Sequence, residues 1–213
     1  MGFLKQNSYC FDKKIRLSKE SELKGVNTMK IRELAATVLE ELKQVFERLD
    51  ENEVEKFTQA IVEAKRVFLV GGGREGLSLR AFAMRLTHLG KTAHWIWDDT
   101  TPAIGEGDLL IATSGGGNVP HIHHIVVESK KAGAKIAVVT GNPTRETPKL
   151  ADLIVMVPAS VYRGGLNTVP SIQPMGCLFE QSLYIVFDLM VLILAEKMKV
   201  SREDMEKRHR NVE

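Results

Sequence analysis

The sequence predicts an α/β fold, a doubly wound parallel sheet with helices on its faces. Three observations carry this. From residue 53 onward, short apolar runs of strand length alternate with segments of helix length, the pattern of βαβ units. Two of the strands run directly into glycine-rich turns that open helices: Val67-Phe-Leu-Val-Gly-Gly-Gly-Arg-Glu-Gly76, and Asp108-Leu-Leu-Ile-Ala-Thr113 followed by Ser114-Gly-Gly-Gly-Asn-Val119. The length of 213 residues suits one well-packed domain and is short for two.

The elements follow in order. Residues 1–28 hold few periodic apolar positions and the basic cluster Lys13-Lys14-Ile-Arg16. They read as a loosely attached extension, or as an upstream start on a domain that begins at Met29. An amphipathic helix spans Ile31 to Leu49, with Leu34, Val38, Leu42 and Val45 on one stripe. A second helix, Val54 to Ala64, leads to strand Val67–Val70, and the first glycine turn opens a helix from Leu77 to Leu89 that Gly90 ends. Strand Ala93–Trp97, the loop Asp98-Asp-Thr-Thr-Pro102, strand Leu109–Thr113, helix His121–Ala132 and strand Ile136–Thr140 come next. Strand Leu153–Val157 is followed by a Gly/Asn/Pro loop reaching Pro174. A long helix, Phe179 to Met198, is apolar almost all round except for Asp188, and a polar helix from Ser201 completes the chain. A helix with that composition is buried on several sides, and in a small protein a subunit interface supplies the extra burial, so a homo-oligomer is expected.

Composition narrows the function. A formal charge of +2 gives no reason to expect a nucleic-acid partner. Cys10 and Cys177 are the two cysteines, giving neither a disulfide framework nor metal-ligand spacing, as in a reducing cytoplasmic setting. The most apolar run, Leu183 to Ala195, is short for a bilayer and contains Asp188, and no apolar signal core opens the chain, so neither membrane nor export is expected.

Both glycine turns have the make-up of anion cradles, with free backbone N–H groups and a helix dipole aimed at one spot. Two in one small domain suggest a phosphorylated or otherwise anionic small molecule. Gly71-Gly-Gly73-Arg-Glu-Gly76 also matches G-x-G-x-x-G, and Asp98 lies about twenty residues on, where a ribose-binding acid would sit. A nicotinamide enzyme is therefore a competing reading, although Arg74 and Glu75 crowd the place of a pyrophosphate. His121, His123 and His124 do not share one face and lack a carboxylate at ligand spacing, so they read as solvated or capping. His88 and His94 read as structural. Asp98, Glu180 and His209 are the candidates for proton transfer, and spacing alone does not bring them together.

A family resemblance does. Gly73-Arg74, Ala81-Phe-Ala-Met-Arg-Leu86, His88-Leu-Gly90, Thr101-Pro102, Gly107-Asp108 and Ser114-Gly115 resemble the 6-phospho-3-hexuloisomerase family. The most specific match is Gln173-Pro-Met-Gly-Cys-Leu-Phe-Glu-Gln181. The ending His209-Arg-Asn-Val-Glu213 resembles the family's His-Ala-Asn-Leu-Glu. The resemblance runs from about Met29 to the C-terminus. It implies a single SIS (sugar isomerase) domain: a flavodoxin-like, three-layer α/β/α sandwich around a five-stranded parallel sheet. It further implies a homotetramer built as a dimer of dimers, no metal or organic cofactor, and a cytoplasmic enzyme of carbohydrate metabolism. The implied reaction interconverts a 3-ketohexose 6-phosphate and fructose 6-phosphate through an enediol(ate). Glu180 falls at the family's base position, and His209 at its proton shuttle, placed on a tail able to complete a neighbouring subunit's pocket. The substrate-binding set that follows is Gly73, Arg74, Glu75, Asp98, Ser114, Gly115, Gly116, Asn118 and Gln173. Asp98 stands where the family usually has a glutamate.

The departures from the family fall on the cradles. Its first turn reads Gly-Arg-Ser-Gly, where this chain has Glu75. Its second loop reads Ser-Gly-Ser-Gly-Glu-Thr, where Gly116, Asn118 and Val119 replace the second serine, the glutamate and the threonine. Three hydroxyl donors are gone and a carboxylate is added. Each lost donor to a bound anion costs roughly 1.5–3 kcal/mol, and an unpaired carboxylate nearby adds repulsion of roughly 1–4 kcal/mol. Phosphate affinity is retained only if Arg74 pairs with Glu75 or other cations compensate. The sequence thus predicts a sugar isomerase acting on the hexulose phosphate or a related sugar, with a non-catalytic sugar-binding SIS module as the alternative.

Overall fold

A computed structural model describes residues 30–212, so the expectation for residues 1–28 lies outside the described residues, as does Cys10. Residues 35–213 group as one compact unit; of the unit before it, residues 1–34, only Lys30–Leu34 are described. The helices are α1 (Ile31–Glu47), α2 (Glu51–Glu63), α3 (Gly73–His88), α4 (Pro120–Lys131), α5 (Cys177–Met198) and α6 (Arg202–Lys207). The strands are β1 (Val67–Gly71), β2 (Ala93–Trp95), β3 (Leu109–Thr113), β4 (Lys135–Thr140) and β5 (Leu153–Met156).

All five strands are parallel, in the order β2-β1-β3-β4-β5. Successive side chains of the inner strands go to opposite faces. Val67, Leu69, Leu109, Ile111, Ala137 and Val139 join a core with residues of α2, α3 and α5. Phe68, Val70, Leu110, Ala112, Ile136 and Val138 join a second core with Ile122 and Val126 of α4. That makes the three-layer sandwich, and it explains why β1 and β3 are buried at all five positions.

The strand order decides where ligands meet the sheet. The chain crosses from β1 out to β2 and then back past β1 to β3, so the direction of winding reverses between β1 and β3, and the crevice outside their carboxyl ends is the binding position of such sheets. Both glycine turns open there.

Several boundaries differ from expectation. β2 stops at Trp95 instead of Trp97, because Asp98 N–H donates to the Trp95 carbonyl and closes a turn. α3 begins at Gly73, four residues before Leu77, so Arg74 and Glu75 lie in its first turn instead of in a preceding loop. α5 begins at Cys177, two residues before the expected Phe179, and its 22 residues are long and apolar enough to cross a membrane by length and composition; half of its most apolar window is buried by the rest of the chain. Burial is one-sided: Phe179, Leu183, Val186, Phe187, Met190 and Leu194 are in the core, while Tyr184, Ile185, Leu189 and Leu192 are exposed. α5 packs on α3, with the rings of Phe82 and Phe187 stacked at 4.7 Å.

Candidate active site

Two helix starts meet at the crevice. Gly72 caps α3 in an extended conformation, and Gly176 caps α5 in the left-handed region (φ 82°) that favours glycine. The turns place Arg74 and Glu75 in the first turn of α3 and Glu180 in the first turn of α5, where a helix N-terminus favours carboxylates. Arg74 Nε donates to Glu180 Oε2 at 2.6 Å. The side chain of Glu180 is 17% exposed and that of Arg74 61%. The carboxylate holds the guanidinium pKa above its ordinary value through this hydrogen bond and charge attraction. Glu180 Oε1 accepts no hydrogen bond among the described residues. The Ser78 hydroxyl, one turn along α3, donates to the Glu180 carbonyl at 3.3 Å and ties the two helix starts together.

Arg74 does not pair with Glu75. That carboxyl turns instead into the second glycine loop, where Gly115 N–H is shared between its two oxygens at 3.2 and 3.1 Å. Burial is the main force on Glu75 and pushes its pKa up to about 7; the Gly115 N–H opposes the shift, the charge of Glu180 adds to it, and the nearby Thr113 hydroxyl opposes it weakly. Thr113 lies within that electrostatic reach without forming a regular hydrogen bond: its Oγ1, like Ser114 Oγ, is buried and without a hydrogen-bond partner among the described residues.

The second loop is closed over from above. A Cβ placed on Gly115 would lie 2.9 Å from Glu75 Oε1 and 3.0 Å from the Phe179 ring; one placed on Gly116 would lie 2.5 Å from the Arg163 carbonyl oxygen. The hydroxyl that the family carries at position 116 is therefore excluded by backbone of the loop after β5. Ser114 contributes its carbonyl, which accepts from Thr140 Oγ1 at 2.7 Å, and Asn118 is exposed at the end of the loop.

The structure thus brings together Gly73, Arg74, Glu75, Ser114, Gly115, Gly116 and Glu180. Besides Asn118 at the exposed end of the loop, three other predicted residues stand differently. Gln173 exchanges two amide hydrogen bonds with Gln181, at 2.9 and 2.8 Å, so its side chain braces the start of α5. The segment before it is pinned by Glu41, which accepts from Ser171 Oγ and Ile172 N–H at 2.6 and 2.7 Å. Asp98 is exposed in the turn after edge strand β2, with no bond to the other site residues. His209 is at the far end of α3, its ring 5.3 Å from that of His88, while Arg208 donates to the His88 carbonyl. Arg74 and His88 are separated by fourteen residues of helix, about 21 Å at 1.5 Å per residue. In one chain, His209 and Glu180 do not share a pocket.

Sequence reasoning missed three neighbours of the site. His121 comes off the start of α4 with its Nε2 3.4 Å from where a Gly72 Cβ would be, and its ring faces Trp97 at 6.3 Å. His123 turns the other way and bonds Thr147 Oγ1 at 3.1 Å, so the histidines do not converge. Arg145 lies against Gly117 and Gly164, and Arg163 covers Gly116. Position at a helix start after a glycine loop was a usable signal for His121; nothing local marks the two arginines.

The SIS domain family model matches residues 60–183. The chain is 36% identical to 3-hexulose-6-phosphate isomerase of Bacillus subtilis over 185 residues, covering 87% of this chain and 100% of that one. It is 39% identical to the protein of the same name from Mycobacterium gastri over 176 residues, 83% of this chain and 88% of that one. A solved Methanococcus jannaschii structure, described as inferring a 3-hexulose-6-phosphate isomerase function, superposes with a TM-score of 0.74 at 27% identity, covering 84% of this chain and 98% of that one. Both glycine turns and the first turn of α5, up to Glu180 and beyond, fall inside the matched SIS segment, and the chain belongs to the SIS-domain family and, within it, to the 3-hexulose-6-phosphate isomerases.

Proposed function

We propose that this chain moves a carbonyl group between adjacent carbons of a ketohexose, with Glu180 as the base. The observation that carries this reading is the placement of Glu180: a carboxylate at the switch-point crevice, oriented by Arg74 through one oxygen. In the direction from 3-hexulose to fructose, Glu180 removes the proton from C2 and the electron pair forms an enediolate across C2 and C3. The proton returns at C3, while the hydroxyl proton passes from O2 to O3. A second acid–base group serves that oxygen transfer, and His209 is assigned to it, acting in the pocket of a neighbouring copy because its own pocket is out of reach. Arg74 is suited to the enediolate oxygen as well as to holding Glu180. The first substrate to test is 3-hexulose 6-phosphate, on which the named relatives act, with fructose 6-phosphate as its product.

Exchange of solvent deuterium into fructose 6-phosphate, or into fructose, followed by NMR, tests the assignment. Glu180→Gln is expected to lower exchange by roughly 10²–10⁴-fold while ligand binding persists. Unchanged exchange in that variant removes Glu180 from the role. A non-catalytic sugar-binding module is the second reading, favoured by the closed Arg74–Glu180 and Glu75–Gly115 contacts; saturable sugar binding without exchange in the wild type would select it.

A further inference from the structure

We propose that Glu75 is the specificity determinant at the second glycine loop: it stands in for an anion there, so the pocket takes a ketose with an uncharged hydroxyl end in preference to its phosphate ester, and takes the ester only with the uptake of one proton. The inference rests on the sugar-isomerase reading of the site and goes beyond it in naming what the loop accepts.

Two independent contacts carry it. A glycine loop before a helix holds an anion through its backbone N–H groups. Here the Gly115 N–H is already donated to both oxygens of Glu75. At the next residue, the space above Gly116 is taken by an acceptor, the Arg163 carbonyl oxygen. The loop is lined by oxygens of the chain itself where a phosphate would bring its own. An incoming dianion therefore faces a carboxylate and a carbonyl. A sugar hydroxyl faces two acceptors to which it can donate, and carboxylate oxygens have lone pairs to spare.

The surrounding charges do not cancel this. From α3, Arg74 gives its Nε–H to Glu180 and keeps the rest of its guanidinium outside that bond; from α5, Glu180 adds a second negative charge, and Cys177 lies near Arg74. From β3 and its loop come the hydroxyls of Thr113 and Ser114. From α4, His121 lies against Gly72. From the loop after β5, the Arg163 guanidinium is turned onto the Tyr162 ring and hydroxyl. From the loop after β4, Arg145 lies against Gly117 and Gly164, its guanidinium on the Gly164 side. Protonation of Glu75 removes the repulsion and converts an acceptor into a donor for a phosphate oxygen. Burial already brings that carboxyl to a pKa of about 7, so the proton is available near neutral pH.

The test is isothermal titration calorimetry on the full chain, with fructose and fructose 6-phosphate at pH 8, in two buffers of different ionisation enthalpy. Wild type is expected to take up roughly one proton with fructose 6-phosphate and none with fructose. Glu75→Gln and Glu75→Ser are expected to lose that uptake, which also accounts for any proton exchanged by the phosphate itself. The affinity ratio of fructose 6-phosphate to fructose should rise at least about tenfold in Glu75→Ser. In wild type, the ester's affinity should fall by up to about tenfold per pH unit above pH 7.5 while that of fructose stays level. Equal proton uptake in wild type and Glu75→Gln, or an unchanged ratio in Glu75→Ser, overturns the inference. Should neither variant fold, a pH-independent ester affinity in wild type overturns it. Binding as expected without deuterium exchange would overturn the isomerase reading and leave this inference standing; binding of neither sugar would overturn both.

Discussion

Glu75 and Glu180 are carboxylates at the starts of two neighbouring helices, yet their surroundings set them to different tasks. Glu180 is tied to a guanidinium; Glu75 is buried against one N–H, with the charge of Glu180 close by. The folded pKa of Glu75, about 7 against an ordinary 4.5, means that the native state binds this proton more tightly than the unfolded chain. Its contribution is fully present below about pH 4.5 and is lost as pH rises through about 7, a loss of about 3 kcal/mol by pH 8. Glu75→Gln should therefore flatten the fall in stability between pH 5 and pH 8 by about that amount, measured by urea unfolding at the two pH values. A variant with the same pH dependence as wild type would show that Glu75 is not the group responsible. Sequence identified Glu75 as the odd residue in its turn. Its partner could not be read, because Arg74 was the adjacent cation and Gly115 is forty residues away.

At the scale of elements, the site depends on how α3 lies on α5, since one carries Arg74 and Glu75 and the other Glu180. The stacked pair Phe82–Phe187 sits in that contact, and both rings are buried. Phe187→Ala should cost roughly 3–5 kcal/mol of stability and lower turnover beyond what the unfolded fraction explains; thermal unfolding and exchange rate, measured on one preparation, separate the two effects. The second glycine loop gives a converse case. Gly116→Ser restores a hydroxyl seen in the family, yet its Cβ would press on backbone, the Arg163 carbonyl. A cost of roughly 1–3 kcal/mol is expected, without a gain in phosphate affinity; unimpaired melting would mean that the Arg163 loop yields easily. The helices and strands themselves were legible, since their apolar periods are local. Boundaries slipped where hydrogen bonds outside that period intervened, as in the turn at Asp98 that ends β2 and the glycine-capped start that draws Arg74 and Glu75 into α3.

For the whole molecule, two observations point to assembly. α5 leaves Tyr184, Ile185, Leu189 and Leu192 exposed, Leu192 at 68%. His209 lies about a helix length from the Glu180 of its own chain. Leu192→Glu should lower the mass in solution, read by light scattering, if that face joins two copies. Mixing Glu180→Gln with His209→Ala chains, after dissociation and reassembly, should restore up to about a quarter of wild-type exchange per site, because a mixed pair can hold one intact pocket. No recovery would place His209 outside the neighbouring pocket. The sequence by itself determined the layers of this protein, the two glycine turns and the carboxylate at the start of α5, because residue periodicity and turn chemistry are set by near neighbours. The tertiary structure alone decided that the two turns open side by side, that Arg74 holds Glu180 and leaves Glu75 to Gly115, and that Arg163 covers Gly116. These follow from the strand order β2-β1-β3-β4-β5, which brings residues far apart in the chain into one crevice, and no local pattern encodes that order.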